Sequence, residues 1–446
     1  MKRTAGILVT VLLVLSLVLV IPARAADRGA WAPNVAYAVG DTVTYNGSTY
    51  QCIQAHTSLT GWEPPNVPAL WKLVTGGATN TPTRTPTRTN TQTGPTPTPT
   101  RTATRTNTPV GPTATFTRTN TPSGPTLTPT FTSTSGGTTC AVKSAPSGKV
   151  LQGYWEAWDG SSVHPGMGHI PLSQVPAGYN VINLAFPVIL SDGTAEWFDG
   201  MDVGVDVPTP AEVCAAKAAG HWVLLSIGGA AAGIDLSSST VADKFVATIV
   251  PILKANNFDG IDIDIETGLV AGANYNTLST SQANLIRIID GVLAQMPSNF
   301  MLTMAPETAY VTGGQIAYGG PWGAYLPIIG KYRDNGRLSW LNMQYYNGSM
   351  YGCPATSYSA GTVQGFVEQT KCLNNGFTIA GGGTFSLPYS KQVPGLPAQP
   401  GAGGGYMVPA DVASAYSQVS GIKGLMDWSI NWDGSKGWTF LNTRPY

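Results

Sequence analysis

The chain has 446 residues, with 24 basic and 24 acidic side chains that leave a formal net charge of zero. That length holds two or three domains, and the balanced charge excludes the basic field that a nucleic-acid binder carries. Only 11% of the residues are charged, so local crowding of acids calls for a reason. The N-terminus reads as an export signal. Lys2 and Arg3 precede an uncharged, largely apolar run from Ile7 to Ile21, which leads into Pro22 and Ala23-Arg24-Ala25. A basic start, an apolar stretch of about 15 residues and an A-x-A exit define a secretory signal peptide over 1–25. A membrane anchor is the competing reading, but the run falls short of the roughly 20 residues that span a bilayer. The mature protein is expected to be secreted, extracellular and free of membrane spans.

Residues 31–74 form a small unit. "DTVTYNGSTYQCIQA" reads as two alternating strands around an Asn46-Gly47 hairpin turn. About half of Trp31, Tyr37, Tyr45, Tyr50, Trp62 and Trp71 are needed as core in so short a unit, and a flat ring left exposed on a rigid sheet can stack on sugars. "YAVGDTVTYNGSTYQCIQAHTSLTGWEPPNVPALWKLV" resembles the chitin-binding modules of carbohydrate-binding families 5 and 12. The resemblance implies that Trp62 is the exposed stacking residue, that His56, Thr57 and Pro64 share its surface, and that Trp31 and Trp71 are core.

From 76 to 139 the composition collapses to Thr, Pro, Gly, Asn and Arg, with "RTNT" recurring at Arg88, Arg105 and Arg118. Such a tract cannot bury enough apolar surface to fold, and its prolines extend it. It is expected to be a disordered spacer able to reach about 100 Å or more.

Residues 140–446 alternate β-branched apolar runs with amphipathic stretches. The runs are 149–155, 180–187, 221–229, 259–266, 300–307, 338–347, 377–383 and 424–433. Eight strands with helical crossovers predict an α/β fold, a (β/α)8 TIM barrel. An open doubly wound sheet is the alternative, but no GxGxxG or GxxxxGK follows the first strand. Active sites of such barrels lie at the C-terminal strand ends, where Tyr154, Glu266, Glu307, Gln344 and Trp428 collect. Aromatics, amides and carboxylates on one rim suit a carbohydrate cleft. The five cysteines show no CxxC and the four histidines are dispersed, so neither metal nor cofactor is expected. Among the four C-terminal cysteines, Cys353 and Cys372 are the expected pair because the segment between them is short.

The acids concentrate in "NNFDGIDIDIET", 256–267. Strand side chains alternate faces, so Asp262, Asp264 and Glu266 share one face and Ile261, Ile263 and Ile265 the other. The isoleucines suit the layer between barrel and helices, which turns the acids inward. Asp259 is out of phase and is expected to tie down backbone. A solvated edge strand would not need three isoleucines on its second face, and one strand face cannot wrap a calcium ion in six or more oxygens. Burial and like charge both raise carboxyl pKa values. At least one proton is then shared between Asp262 and Asp264, and Glu266 is held protonated as a general acid. Glycosidases usually add a second carboxylate, yet the run read as the seventh strand ends in Gly381, Gly382 and Gly383.

"DGIDIDIE", with "SIGG", "MAPE", "MQYYN" and "MDWSINWD", resembles glycoside hydrolase family 18, its bacterial chitinases in particular. The resemblance implies hydrolysis of β-1,4-N-acetylglucosamine linkages, with the substrate's acetamide as nucleophile. It implies Glu266 as acid and base, Asp264 as stabiliser of the oxazolinium ion, Asp262 as keeper of the shared proton and Tyr346 as partner of the acetamide carbonyl. Trp428 would floor the reacting sugar; Tyr154, Met304 and Gln344 would line the site; Glu307 and Asp427 would contact substrate from the rim. Too few residues separate the last two runs for the extra domain of processive members, so endo-type cutting is expected. Chitin and its oligosaccharides are the expected partners of a monomer. The alternatives are an endo-β-N-acetylglucosaminidase acting on glycans and a non-catalytic chitin lectin.

Overall fold

A computed structural model of the chain describes residues 26–32, 35–45, 47–52, 56–58, 64, 70–75, 138–161, 168–230 and 233–446. The signal sequence, nearly all of the Thr/Pro-rich tract and Trp62 lie outside the described residues. The chain divides into two units.

In the N-terminal unit, strands Thr42–Tyr45 and Ser48–Cys52 pair antiparallel as the expected hairpin. Gly47 in its turn sits at φ +76°, a left-handed conformation that glycine adopts without a Cβ penalty. Trp71–Thr75 adds to one side of the hairpin and Asp27–Ala30 to the other. The unit thus begins before Trp31, because the parallel pairing of Asp27 with Thr42 recruits the earlier segment. Its core is Tyr37, Val43, Cys52 and Trp71, with Trp31 packed against it.

The second unit is an eight-stranded parallel sheet that curls into a barrel. Its strands are β1 (Val150–Glu156), β2 (Val181–Ala185), β3 (Trp222–Gly228), β4 (Gly260–Asp264), β5 (Met301–Met304), β6 (Trp340–Leu341), β7 (Gly395–Pro397) and β8 (Gly424–Trp428). They neighbour one another in the order β6-β5-β4-β3-β2-β1-β8-β7. Parallel bridges Leu341 to Gln392 and Gln344 to Gly395 close β6 onto β7. Helices α1 (Pro210–Ala218), α2 (Ser239–Ala255), α3 (Thr280–Leu293), α4 (Leu326–Asp334), α5 (Val363–Asn375) and α6 (Pro409–Gln418) are the crossovers from β2 onward, and the short α7 (Ile430–Gly434) follows β8. Between β1 and β2 the described residues hold one 3-10 turn, Leu172–Gln174.

The seventh strand is not where the β-branched run predicted it. Phe377–Thr378 instead pairs antiparallel with Thr384–Phe385, a hairpin turned through Gly382 and Gly383 at φ +90° and +87°. The true β7 lies in "VPGLPA", where Pro394 and Pro397 hide it from a reading based on strand propensity. Val393 and Gly395 still donate to Leu341 and Met343 of the neighbouring strand, and the Pro394 carbonyl accepts from Met426. Between β7 and β8 the chain has room for the ten-residue α6 and its flanking loops.

Strand alternation sorts the core into two layers. Leu151, Ile182, Leu225, Ile261, Ile263 and Leu302 face the helices, while Val150, Val181, Leu224, Met301, Trp340 and Met426 fill the barrel. At the N-terminal end of the barrel, Asp259 is wholly buried. It accepts the backbone N–H of Lys143 at 2.7 Å and of Val223 at 3.1 Å, and pairs with Lys217 Nζ at 2.8 Å. Cys140, beside this clamp, is disulfide-bonded to Cys214 of α1, and Cys353 is bonded to Cys372 as expected. The first residues of the unit are therefore fastened across the end of the barrel remote from the strand C-termini. No helix among the described residues is long and apolar enough to cross a membrane.

Candidate active site

The register of β3, β4 and β5 pairs Ser226, Asp262 and Thr303 in one layer. Their side chains meet inside the barrel. Asp262 Oδ2 accepts from Tyr154 Oη at 2.6 Å and Ser226 Oγ at 2.7 Å, and its Oδ1 from Thr303 Oγ1 at 2.5 Å and Asn342 Nδ2 at 3.1 Å. Burial pushes the Asp262 pKa up and the four donors pull it back.

One layer higher, a single amide nitrogen serves two acids. Gln344 Nε2 donates to Asp264 Oδ1 at 3.0 Å and to Glu266 Oε1 at 3.1 Å, and also contacts the Ala305 carbonyl at 3.0 Å. Burial, then the charges of Glu266 and Asp262, hold Asp264 well above the usual carboxylate range. Burial likewise raises Glu266, against the pull of Gln344. Two acids on one amide share at least one proton, because both cannot ionise cheaply at that separation. The column is thus divided differently from the expectation. Asp262 is occupied by four neutral donors, while Asp264 is turned up toward Glu266. Among the described residues no hydrogen bond joins Asp262 to Asp264.

Backbone contacts fix the height of the acids. Gly228, at φ +112°, brings β3 so close to β4 that a Cβ there would meet the Asp264 carbonyl oxygen at 2.2 Å, and the Gly229 N–H donates to that oxygen at 2.7 Å. The glycines of "SIGG" are the physical condition for this approach. Tyr325 Oη bridges the N–H and C=O of Ile265, and Tyr310 Oη donates to the Glu266 carbonyl at 2.6 Å. Glu307, half-buried at the end of β5, is pushed up to about 7 by burial and by the charge of Glu266.

A cleft of about 570 Å³ opens beside these groups, lined among others by Glu266, Gln344, Tyr346 and Trp428. Trp428 lies nearly parallel to Phe186, with ring centroids 6.1 Å apart and 14° between planes. Trp158 stacks on Phe186 at 6.3 Å. Such an apolar face beside a polar base suits a pyranose ring, which carries C–H groups on its faces and hydroxyls on its rim. At the far side, the Asn347 N–H and Oδ1 clasp Gly404, which seats the glycine-rich loop at 401–405 against Tyr346.

Three expected contacts are corrected. Met304 is paired with Ile263 and is wholly buried in the layer facing the helices; the inward residues are its neighbours Thr303 and Ala305. Asp427 is out of phase with Trp428 and 0% exposed. Tyr179 Oη sits between Asp427 and Asp433 Oδ2, 2.7 Å from the latter. A phenol has one hydrogen to donate, so one of the two acids donates to it. Burial, then Asp433, hold Asp427 well above its ordinary value, so its role is structural. Pro64 is buried in a turn and takes no part in an exposed stacking surface. His56 and Thr57 pair with Ala36 and Tyr37 through their backbones, and their side chains lie outside the described residues.

Reading the sequence missed Ser226, Thr303 and Asn342, each in phase with a residue already singled out, and the aromatic wall of Trp158 and Phe186. It also missed Glu156, the last residue of β1.

Comparison with known proteins agrees with this geometry. Residues 30–72 match the carbohydrate-binding module family 5/12, and residues 150–360 match the glycosyl hydrolases family 18. Endochitinase 37 of Trichoderma harzianum is 72% identical over 68% of this chain and 91% of its own length. Chitinase D of Niallia circulans is 35% identical over 95% of this chain and 92% of its own. The bacterial likeness therefore spans nearly the whole chain, and the higher identity with the fungal protein covers 68% of it. Among solved structures, a family 18 chitinase from Chromobacterium violaceum covers 94% of this chain and 98% of its own, at 28% identity and a TM-score of 0.59.

Proposed function

The chain belongs to the glycosyl hydrolases of family 18 and is an endochitinase, and from that premise we propose that it is exported and cuts chitin with retention by substrate-assisted catalysis. The observation that carries the mechanism is the shared amide. Asp264 and Glu266 converge on Gln344 at the base of the cleft, while β7 ends in Pro397, Ala398 and Gln399 with no carboxylate. In this reading the substrate's own acetamide is the nucleophile.

Glu266 gives its proton to the glycosidic oxygen as the C1–O bond breaks. The acetamide carbonyl oxygen of the same sugar closes onto C1 and forms the oxazolinium ion. Asp264 accepts the acetamide N–H and balances the positive charge, Asp262 stays fixed beneath it by its four donors, and Tyr346 steadies the carbonyl. Water then adds to C1, returns a proton to Glu266 and reopens the acetamide, so the β-anomer is retained. Tyr154 acts through its bond to Asp262, and Trp428 supplies the floor.

The like charge of Glu307 raises Asp264, and Glu307 is itself raised by Glu266. Glu307→Gln is expected to move the alkaline limb of the kcat/KM profile to lower pH, because removing a neighbouring negative charge makes Glu266 easier to ionise. An unmoved limb would separate Glu307 electrostatically from the reaction.

The short connection between β7 and β8 leaves no wall domain over the cleft, which supports internal cutting. The N-terminal module, through Trp62, would hold the enzyme on insoluble chitin. One experiment tests these points together: the product profile from chitohexaose and from crystalline chitin, with and without residues 26–139. Internal products carrying a β-reducing end are expected from both chains on the hexamer, with crystalline chitin lost only to the shortened one. Exclusive release of dimers from one end of the hexamer would refute endo action, and equal loss on both substrates would refute the delivery role. The lectin reading lacks support because Glu266 is intact, and the module argues against a glycan-trimming enzyme.

A further inference from the structure

Glu156 is a buried acid that the reaction does not use. It closes β1 in phase with Gln152 and Tyr154, so its side chain enters the barrel, and it is 1% exposed. Burial pushes its carboxyl up to about 7 against the pull of Ser429. A buried carboxyl costs free energy unless a partner repays the desolvation, and here the hydrogen bond to the carboxyl comes from the short turn after β8. Ser429 Oγ donates to Glu156 Oε1 at 2.5 Å. Asn431 Oδ1 accepts the Glu156 N–H at 2.9 Å, and Asn431 Nδ2 approaches the Glu156 carbonyl at 3.4 Å. The same Ser429 hydroxyl accepts the Trp432 N–H, capping α7.

That turn follows directly on Trp428, the last residue of β8. The ring lies against Phe186 and Tyr154. Its backbone is held on one side by β7, where Trp428 pairs with Pro397 and its carbonyl accepts the Ala398 N–H at 2.8 Å, and on the other by the last residue of β1 through Ser429. We propose that Glu156 is a positioning residue: its carboxyl, acting through Ser429, holds the Trp428 floor in register with the acid pair on β4. The inference rests on the reading of Trp428 as the floor of the reacting sugar. It assigns to the end of β1 a part in catalysis that needs no contact with substrate.

The test is steady-state kinetics of Glu156→Ala, Glu156→Gln, Ser429→Ala and Trp428→Ala on chitotetraose, with melting temperatures recorded alongside. Misplacing a bound ring by about 1 Å costs up to about 100-fold in rate. Glu156→Ala is expected to lower kcat about 10- to 100-fold with KM little changed. Glu156→Gln is expected to stay within about threefold of the parent, since its amide oxygen can still accept from Ser429. Ser429→Ala should reproduce the Glu156→Ala loss, and the double variant should add nothing to it. If Glu156→Ala does not fold, Ser429→Ala carries the test by itself. Parental kcat in Ser429→Ala, or equal losses in Glu156→Gln and Glu156→Ala that follow melting temperature, overturns the clasp. Parental activity in Trp428→Ala overturns the floor reading and the inference with it, whereas an inactive Trp428→Ala beside a fully active Glu156→Ala overturns the clasp alone.

Discussion

Glu266→Gln is expected to lower kcat on soluble chitin oligomers by about 10³-fold while KM stays near its parental value. That factor is about 4 kcal/mol of barrier. The substitution keeps the volume of the side chain, and the glutamine oxygen can still accept from Gln344 Nε2. What disappears is the dissociable proton. The leaving oxygen of a glycoside departs poorly without one, so the loss falls on the chemical step and not on binding. An unchanged melting temperature would show that the fold has held. Activity within tenfold of the parent would remove Glu266 from proton transfer altogether.

Asp264→Asn is expected to cost about 10²- to 10³-fold in kcat. An asparagine still reaches the acetamide but brings no negative charge to the oxazolinium ion. Sitting beside Glu266 on the same amide, it also removes the nearest like charge, so the alkaline limb of the activity profile should move to lower pH. A companion measurement separates this mechanism from one with a protein nucleophile. An oligomer whose reacting sugar carries a free amine in place of the acetamide should resist the parent enzyme. Cleavage of that oligomer at a rate near that of the acetylated one would mean that a carboxylate of the protein attacks C1.

Most of the acid column was legible because strand alternation is a local rule. Counting parity along "DGIDIDIE" separates the inward acids from the isoleucine layer and isolates Asp259, and all three assignments hold in the structure. The same count, applied to "FMLTMAPE" and "MDWSINWD", puts Met304 and Asp427 on the outer face. There the resemblance points inward and parity outward, and the structure follows parity. The four donors on Asp262 come from β1, β3, β5 and the end of β6, so they depend on barrel register, which no single segment encodes. The seventh strand failed for a different reason. Its pairing is imposed by closure between β6 and β8, and closure can hold a proline-bearing segment that would not form a strand by propensity. The glycines first read as its end lie in a hairpin outside the barrel. The true strand, like the run read in its place, ends without a carboxylate.

The clamp at Asp259 has a consequence for how such a chain can be assembled. Lys143, Lys217 and the Cys140–Cys214 bond fasten the start of the catalytic unit at the end of the barrel remote from the cleft. A load arriving along the preceding segment meets this knot first, and the knot is separated from Glu266 by the length of β4. A segment of another length spliced ahead of Thr138 is therefore expected to leave kcat on soluble oligomers unchanged, because its load falls on the disulfide and the buried ion pair beneath it.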